Sequence, residues 1–177
     1  MPADVNERRL PSAEDEARLW ALVEAAWTQC GAEANRVRRA LAARAPEPVT
    51  DTSAVDGALP VFLGALADRC RALPGGELTS LDRVLERKLY DIDRADIQAV
   101  TDGSDDGFLY ARGFIVAMGR DFYDAVARDP QVAVLDAECE EMCYFFAHLY
   151  RGRFGEFPQT GSGISRESCS NAAGWGS

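Results

Sequence analysis

The sequence predicts an all-α protein, an irregular multi-helix bundle folded as a single domain. Three observations carry that reading. Apolar residues recur at i, i+3, i+4 spacing along most of the chain. No stretch alternates apolar and polar residues in the way a half-buried strand does, and no internal repeat is visible. The length of 177 residues, with 47% apolar and 27% charged side chains, suits one domain. A chain of that size buries roughly 70% of its unfolded surface. The divisions expected are a polar arm over 1–11, a helical domain over 12–157 and a Gly/Ser-rich C-terminal tail over 158–177 that either docks on the body or frays.

Ser12 is placed to cap a first helix whose opening turn holds Glu14, Asp15 and Glu16, and whose stripe is Leu19, Trp20, Val23, Ala26 and Trp27. Gly31 ends it. An Arg-rich helix follows from about Ala32 to Arg44 and stops before Pro46 and Pro48; Glu47 to Ala58 reads as a polar loop. Leu59, Phe62, Leu63, Leu66, Cys70 and Leu73 mark a third helix with Pro60 in its first turn, closed by Pro74, Gly75 and Gly76. The next helix buries Leu81, Leu85, Leu89 and Ile92 and continues or kinks towards Val100. Its other face, with Asp82, Arg83, Glu86, Arg87 and Lys88, has the spacing of solvated ion pairs. From Phe108 to Val126 apolar residues cover so much of the surface that a central helix is expected. Close helix approach is the reason expected for Gly113 and Gly119 within it. Asp129-Pro130 is an N-cap followed by Pro, the start of a final helix burying Leu135, Cys139, Met142, Cys143, Phe146, Leu149 and Tyr150.

The formal charge is −10, and its location matters more than its size. Residues Asp91 to Cys143 hold thirteen Asp or Glu against four Arg, a net of −9. An acidic half repels phosphate backbones, so nucleic acid is not an expected partner; a basic protein or peptide is. The longest apolar runs fall far short of the ~20 residues that span a bilayer, so no membrane association is expected. Residues Met1 to Arg9 have no apolar core of a secretory signal, and the five cysteines form an odd set without a C-x-x-C pair. Both point to a cytoplasmic protein with free thiols. Lys88 is the only lysine, which reads as coding bias.

The densest polar cluster is Thr101-Asp-Gly-Ser-Asp-Asp-Gly-Phe108. Asp102, Ser104, Asp106 and Gly107 fall at the first, third, fifth and sixth positions of a calcium loop. The twelfth is Gly113, where that loop needs a bidentate Glu, so no metal is expected. The plainer reading is Ser104 as an N-cap with Asp105 and Asp106 in the first turn. Asp91, Asp93 and Asp96 precede the loop. If the two elements meet, Asp93, Asp96, Asp102, Asp105 and Asp106 form an acidic pocket beside Arg112 where crowded carboxylates shift one another's proton affinity. Arg94 and Arg112 neutralise them in the simpler alternative. His148 is the only histidine, and Cys139 and Cys143 fall on an apolar stripe, so core thiols are favoured over zinc. No phosphate loop, nucleophile elbow or cofactor motif occurs, so no cofactor is expected. The tail stretch Ile164-Ser-Arg-Glu-Ser-Cys-Ser-Asn171 either lines a pocket or is a loose end with an exposed Cys169.

Leu89-Tyr-Asp-Ile-Asp-Arg-Ala-Asp-Ile97, the run Thr101 to Val116, and Arg128-Asp-Pro130 together resemble the bacterial DUF4240 family. The Ser104-Asp-Asp-Gly-Phe108 element, then Arg112 and Gly119-Arg120, is the most distinctive part, and the Trp-bearing helix Leu19-Trp-Ala-Leu-Val23 is similar as well. The resemblance implies a helical domain of uncharacterised activity and assigns no catalytic residue. The leading functional expectation is a noncatalytic interaction module with an acidic binding surface around Asp91 to Asp106. The alternative is an enzyme, or a binder of a small ligand or divalent cation, that uses the acidic pocket at the Ser104 helix start.

Overall fold

The computed structural model describes residues 8–43, 51–101 and 104–176. It is all-α: ten α-helices and one 3₁₀ turn, with no strand among the described residues. Ser12 caps α1 (Ala13–Trp27) by accepting the Asp15 amide at 3.0 Å, and the expected stripe from Leu19 to Trp27 is buried. After Gly31, α2 (Ala32–Ala43) buries Ala34, Val37, Arg38 and Leu41. α3 (Ser53–Cys70) begins inside the stretch read as a loop, so Pro60 sits in the body of the helix rather than its first turn. The Thr52 carbonyl accepts the Val55 and Asp56 amides and Asp51 Oδ1 accepts the Ser53 amide, which starts the helix early. Residues 44–50 lie outside the described residues.

α4 (Gly75–Asp91) carries the Leu78, Leu81, Leu85, Leu89 stripe and stops; it does not run on to Val100. A short turn at 92–94 separates it from α5 (Ala95–Thr101). α6 (Asp105–Ala117) is the central helix, buried from Gly107 to Ala117 except at Tyr110. The apolar run breaks two residues later: Gly119 has φ +96, and α7 (Arg120–Arg128) leaves in a new direction. Gly119 therefore ends a helix rather than lying within one, because a positive φ is open to glycine and strained for other residues; the expected close approach is there too, with a Cβ falling 2.5 Å from Glu24 Oε1 and 2.8 Å from the Arg38 guanidinium.

The expected final long helix is absent as such. Asp129 Oδ1 accepts the Gln131 amide, but only a 3₁₀ turn (Pro130–Val132) follows. Residues 133–139 then run irregularly, fixed by the Asp136 amide to the Thr101 carbonyl and the Cys139 amide to the Tyr110 carbonyl. Leu135, expected in the core, is 66% exposed because it lies on this connection and not on a helix face. Helix resumes as α8 (Glu140–Cys143) and α9 (Phe145–Phe154), which bury Met142, Cys143 and Phe146 as expected. A last helical turn, α10 (Ala172–Trp175), ends the tail.

Packing follows from these faces. α6 lies against α4, α5, α7 and α8; α4 also meets α1 and α9, and α1 and α2 pack on α3 and α7. Trp27 ties the two sides together, stacking on Phe62 at 4.8 Å and donating its indole N–H to the Ala117 carbonyl at 2.7 Å. At Gly113 the backbone of α6 runs close against Cys139 and Cys143 of the α8 segment. A Cβ there would stand 2.4 Å from the Cys139 carbonyl oxygen and 2.7 Å from Cys143 Sγ. Among the described residues no helix is long and apolar enough to cross a membrane. Gly113→Ala gains about 1 kcal/mol of helix propensity, yet the clash is with fixed backbone. It is expected to lower stability by ~1–3 kcal/mol overall, read as a shift in urea midpoint at unchanged m-value.

Candidate functional site

The segment around the start of α6 shows how the acidic residues are used. Ser104 is the N-cap, its Oγ accepting the Gly107 amide at 3.1 Å, and Asp105 and Asp106 stand exposed in the first turn, where a helix N-terminus favours negative charge. Asp96 is paired with Arg94 through two hydrogen bonds of 3.0 and 2.6 Å, and Arg94 also donates to the Ala127 carbonyl. The Arg94 guanidinium holds the Asp96 carboxyl below its usual value. Asp102 lies outside the described residues.

Asp93 and Arg112 have a different environment. Both are fully buried. Asp93 accepts three consecutive main-chain amides from the tail, those of Cys169, Ser170 and Asn171, and the indole N–H of Trp175. Arg112 donates to the Leu89 carbonyl at 2.9 Å and to Ser168 Oγ at 3.1 Å, and its guanidinium lies over the Phe108 ring. Burial lowers the Arg112 pKa, opposed by the nearby charge of Asp93. The six described candidate positions therefore do not line one pocket. Asp93 and Arg112 face inward to the tail, Asp105 and Asp106 face solvent, and Asp96 lines a groove of about 460 Å³ between α5 and the tail.

Sequence reasoning missed Asp82 and, although it allowed the Ile164 to Asn171 stretch to line a pocket, did not pair Arg166 with it. The Arg166 guanidinium donates to Asp82 Oδ2 at 2.6 Å and to the Cys143 carbonyl at 2.7 Å, lies 3.3 Å from Glu86, and covers the Tyr144 ring. Asp82 is 2% exposed, not on a solvated face. Burial pushes its carboxyl up against the pull of Arg166, while the Ala147 amide at the start of α9 also draws it down. A signal was present: Asp82 stands four residues after Leu78 and three before Leu85, on the apolar stripe itself. Of its former ion-pair neighbours, Arg83 donates to the Thr160 carbonyl and Lys88 pairs with Glu16 across helices.

The outward side is acidic. Tyr110 is shifted up by the charge of Glu140, then by burial and a hydrogen bond to Glu140, with Asp106 adding to it, so these groups meet across α6 and α8. Tyr144 donates to Glu167 at 2.8 Å, and Ser168 Oγ donates to the Asp105 carbonyl at 2.6 Å, which brings the tail onto the same side. Asp105, Asp106, Glu140 and Glu167 are exposed on that side, and Asp136, Glu138 and Glu141, close to Glu140 in the chain, are exposed as well; among the described residues none of the seven is in an ion pair. No group of three or more His, Cys, Asp or Glu among the described residues is placed to hold a metal ion. His148 stacks beside Tyr144 and near Phe157.

A helical bundle whose C-terminal segment docks on a polar seam, with an acidic outer side, is the class of protein that this geometry defines. The chain belongs to the DUF4240 family, described as a protein of unknown function: residues 50–152 match it. The match takes in α3 to α9 and so includes Asp82, Asp93, Ser104 and Arg112; α1, α2 and the tail lie beyond it. No curated protein and no solved structure matches the chain.

The thiols give the site two checks. All five cysteines are free, and burial pushes Cys139 and Cys143 up to about 12 and Cys70 up to about 11, whereas Cys169 is exposed. Iodoacetamide at neutral pH is expected to alkylate Cys169 and spare Cys70, Cys139 and Cys143 until urea unfolds the protein, as read by peptide mass spectrometry. The same shifts set a pH dependence. Thiols of the unfolded chain ionise near ~8.5, below the folded values, so their stabilising contribution is complete below that pH. It is lost as pH rises through the folded values of about 11 to about 12. The urea midpoint at pH 10 is expected below that at pH 7.

Proposed function

We propose that this protein is a noncatalytic interaction module of the cytoplasm whose acidic outer side docks a basic protein or peptide. The observation that carries the reading is the cluster of unneutralised carboxylates from Asp105, Asp106, Glu138, Glu140, Glu141 and Glu167, with no exposed cation of α6, α8 or the 133–141 connection among them. Leu135, 66% exposed, stands beside Asp136 on that connection. An apolar anchor rimmed by charge is the usual anatomy of a docking surface. Such a field speeds encounter with a cationic partner and repels phosphate backbones. Five free thiols suit a reducing compartment.

The test uses fluorescent octa-arginine as a probe of stated charge. A variant with Glu138→Lys, Glu140→Lys and Glu141→Lys is expected to bind it at least about tenfold more weakly than a control with Glu14→Lys, Asp56→Lys and Asp121→Lys, which has the same net charge. Binding to the unaltered chain is expected to fall steeply once the Debye length drops below ~10 Å. Equal weakening in the two variants would show that net charge, not this face, is what the probe reads.

A further inference from the structure

The tail is held as a bound peptide is held. Its apolar contribution is Ile164 and Trp175, both half-buried, with Trp175 edge-on to the Phe108 ring at 5.9 Å. The rest is polar. Arg166 fills an anionic slot made by Asp82 and Glu86 and caps the Cys143 carbonyl. Ser162 Oγ donates to Glu86 at 2.6 Å, and Arg83 Nε donates to the Thr160 carbonyl at 2.6 Å. Asp93 collects the main-chain amides of residues 169–171, a contact that reads backbone and is indifferent to side chain. The segment has little regular structure, and Cys169 is held at φ +66, a backbone conformation that costs a non-glycine residue energy.

Two further observations point to an exchangeable occupant. Arg112 Nε is buried without a hydrogen-bond partner and borders the tail, so the tail leaves one donor of its seam unused. The cleft walls, Asp82, Glu86, Asp93 and Arg112, all lie within the family match over residues 50–152, whereas the segment that fills the cleft lies beyond it. We propose that the cleft between α4, α6 and α9 is a binding site for an extended, arginine-bearing segment of a partner protein, and that residues 160–175 are its built-in occupant. The proposal rests on reading the chain as an interaction module. It adds the recognition rule: an arginine for the Asp82–Glu86 slot, followed within a few residues by unhindered main-chain amides for Asp93. Departure of the tail exposes three carboxylates and makes the adjoining side more attractive to a basic segment.

The first measurement is hydrogen exchange on the unaltered full-length protein. The amides of Cys169, Ser170 and Asn171 are expected to exchange at least about 100-fold faster than those of Phe114 and Val116 in α6, the mark of a segment that opens without global unfolding. Exchange at the α6 rate would make the tail part of the cooperative fold and overturn the proposal, whether or not any variant folds. The second uses a fluorescent peptide of residues 158–177 as probe. Full-length protein carrying Arg166→Gln is expected to bind it at least about tenfold more tightly than the unaltered protein, whose own tail competes, and a peptide with the same replacement is expected not to bind. Equal binding by both proteins, binding by neither, or conversion of the variant to a dimer in light scattering would each sink the idea, the last by making a second copy the occupant. The triple Glu→Lys variant of the outer face keeps its cleft, so loss of octa-arginine binding with retained tail-peptide binding separates the two surfaces.

Discussion

Arg112 sits in the middle of α6 with no exposed surface, and a guanidinium in that position must be bonded or it destabilises the fold by several kcal/mol. Around it the helices arrange acceptors and charge: the Leu89 carbonyl freed at the end of α4, the Phe108 ring one turn earlier, Ser168 from the tail, and Asp93 from the turn after α4. Asp93 has its own requirement, since a buried carboxylate needs donors, and the tail supplies them. The break between α4 and α5 follows from this. A helix continuing to Val100 would keep the Leu89 carbonyl in its own ladder and carry Asp93 away from the tail.

The elements legible in the sequence were those set by local periodicity. α1, α2, α4 and the first half of the central helix have strong stripes, and α1 and the central helix have Ser caps as well, so pattern and structure agree there. The failures have physical causes. Gly119 in an apolar run is compatible with a continuing helix until its φ is known, and the turn at 118–119 is set by Trp27 bonding to Ala117 and Arg38 bonding to Met118. The connection over 133–139 has helix-like spacing, but the Thr101 and Tyr110 carbonyls capture its amides, and partners that distant in sequence leave no local trace. Pro60 reads as a first-turn residue only because the helix before it is polar on its outer side.

The candidate site was legible in half. Ser104, Asp105 and Asp106 form a local cap, and capping chemistry is readable from residue order. Convergence was not readable. Whether Asp93 and Asp106 share a pocket depends on where a segment 76 to 78 residues away returns, and that segment, rich in Ser and Gly, has no periodicity to follow. The polar residue on the Leu78–Leu89 stripe was the one available sign that something charged comes back to α4.

The distribution of arginine bears on the acidity of the surface. Arg166 is buried with Asp82 and Arg112 beside Asp93, whereas Arg38 turns inward and the Glu24 carboxylate it bonds stays half-exposed at the surface. Arginine suits those positions because its planar, weakly hydrated fork bonds several carbonyls at once and stacks on rings, as Arg38 does on Trp27 and Arg166 on Tyr144. Lysine, a compact and strongly hydrated charge, does neither, which gives a structural reason for its near absence beside any bias of coding. Lys88, the exception, reaches Glu16 and the Tyr123 ring from the edge of the core rather than its centre. A cation turned inward while its carboxylate stays outward, as with Arg38 and Glu24, leaves the surface slightly more acidic than the composition alone gives.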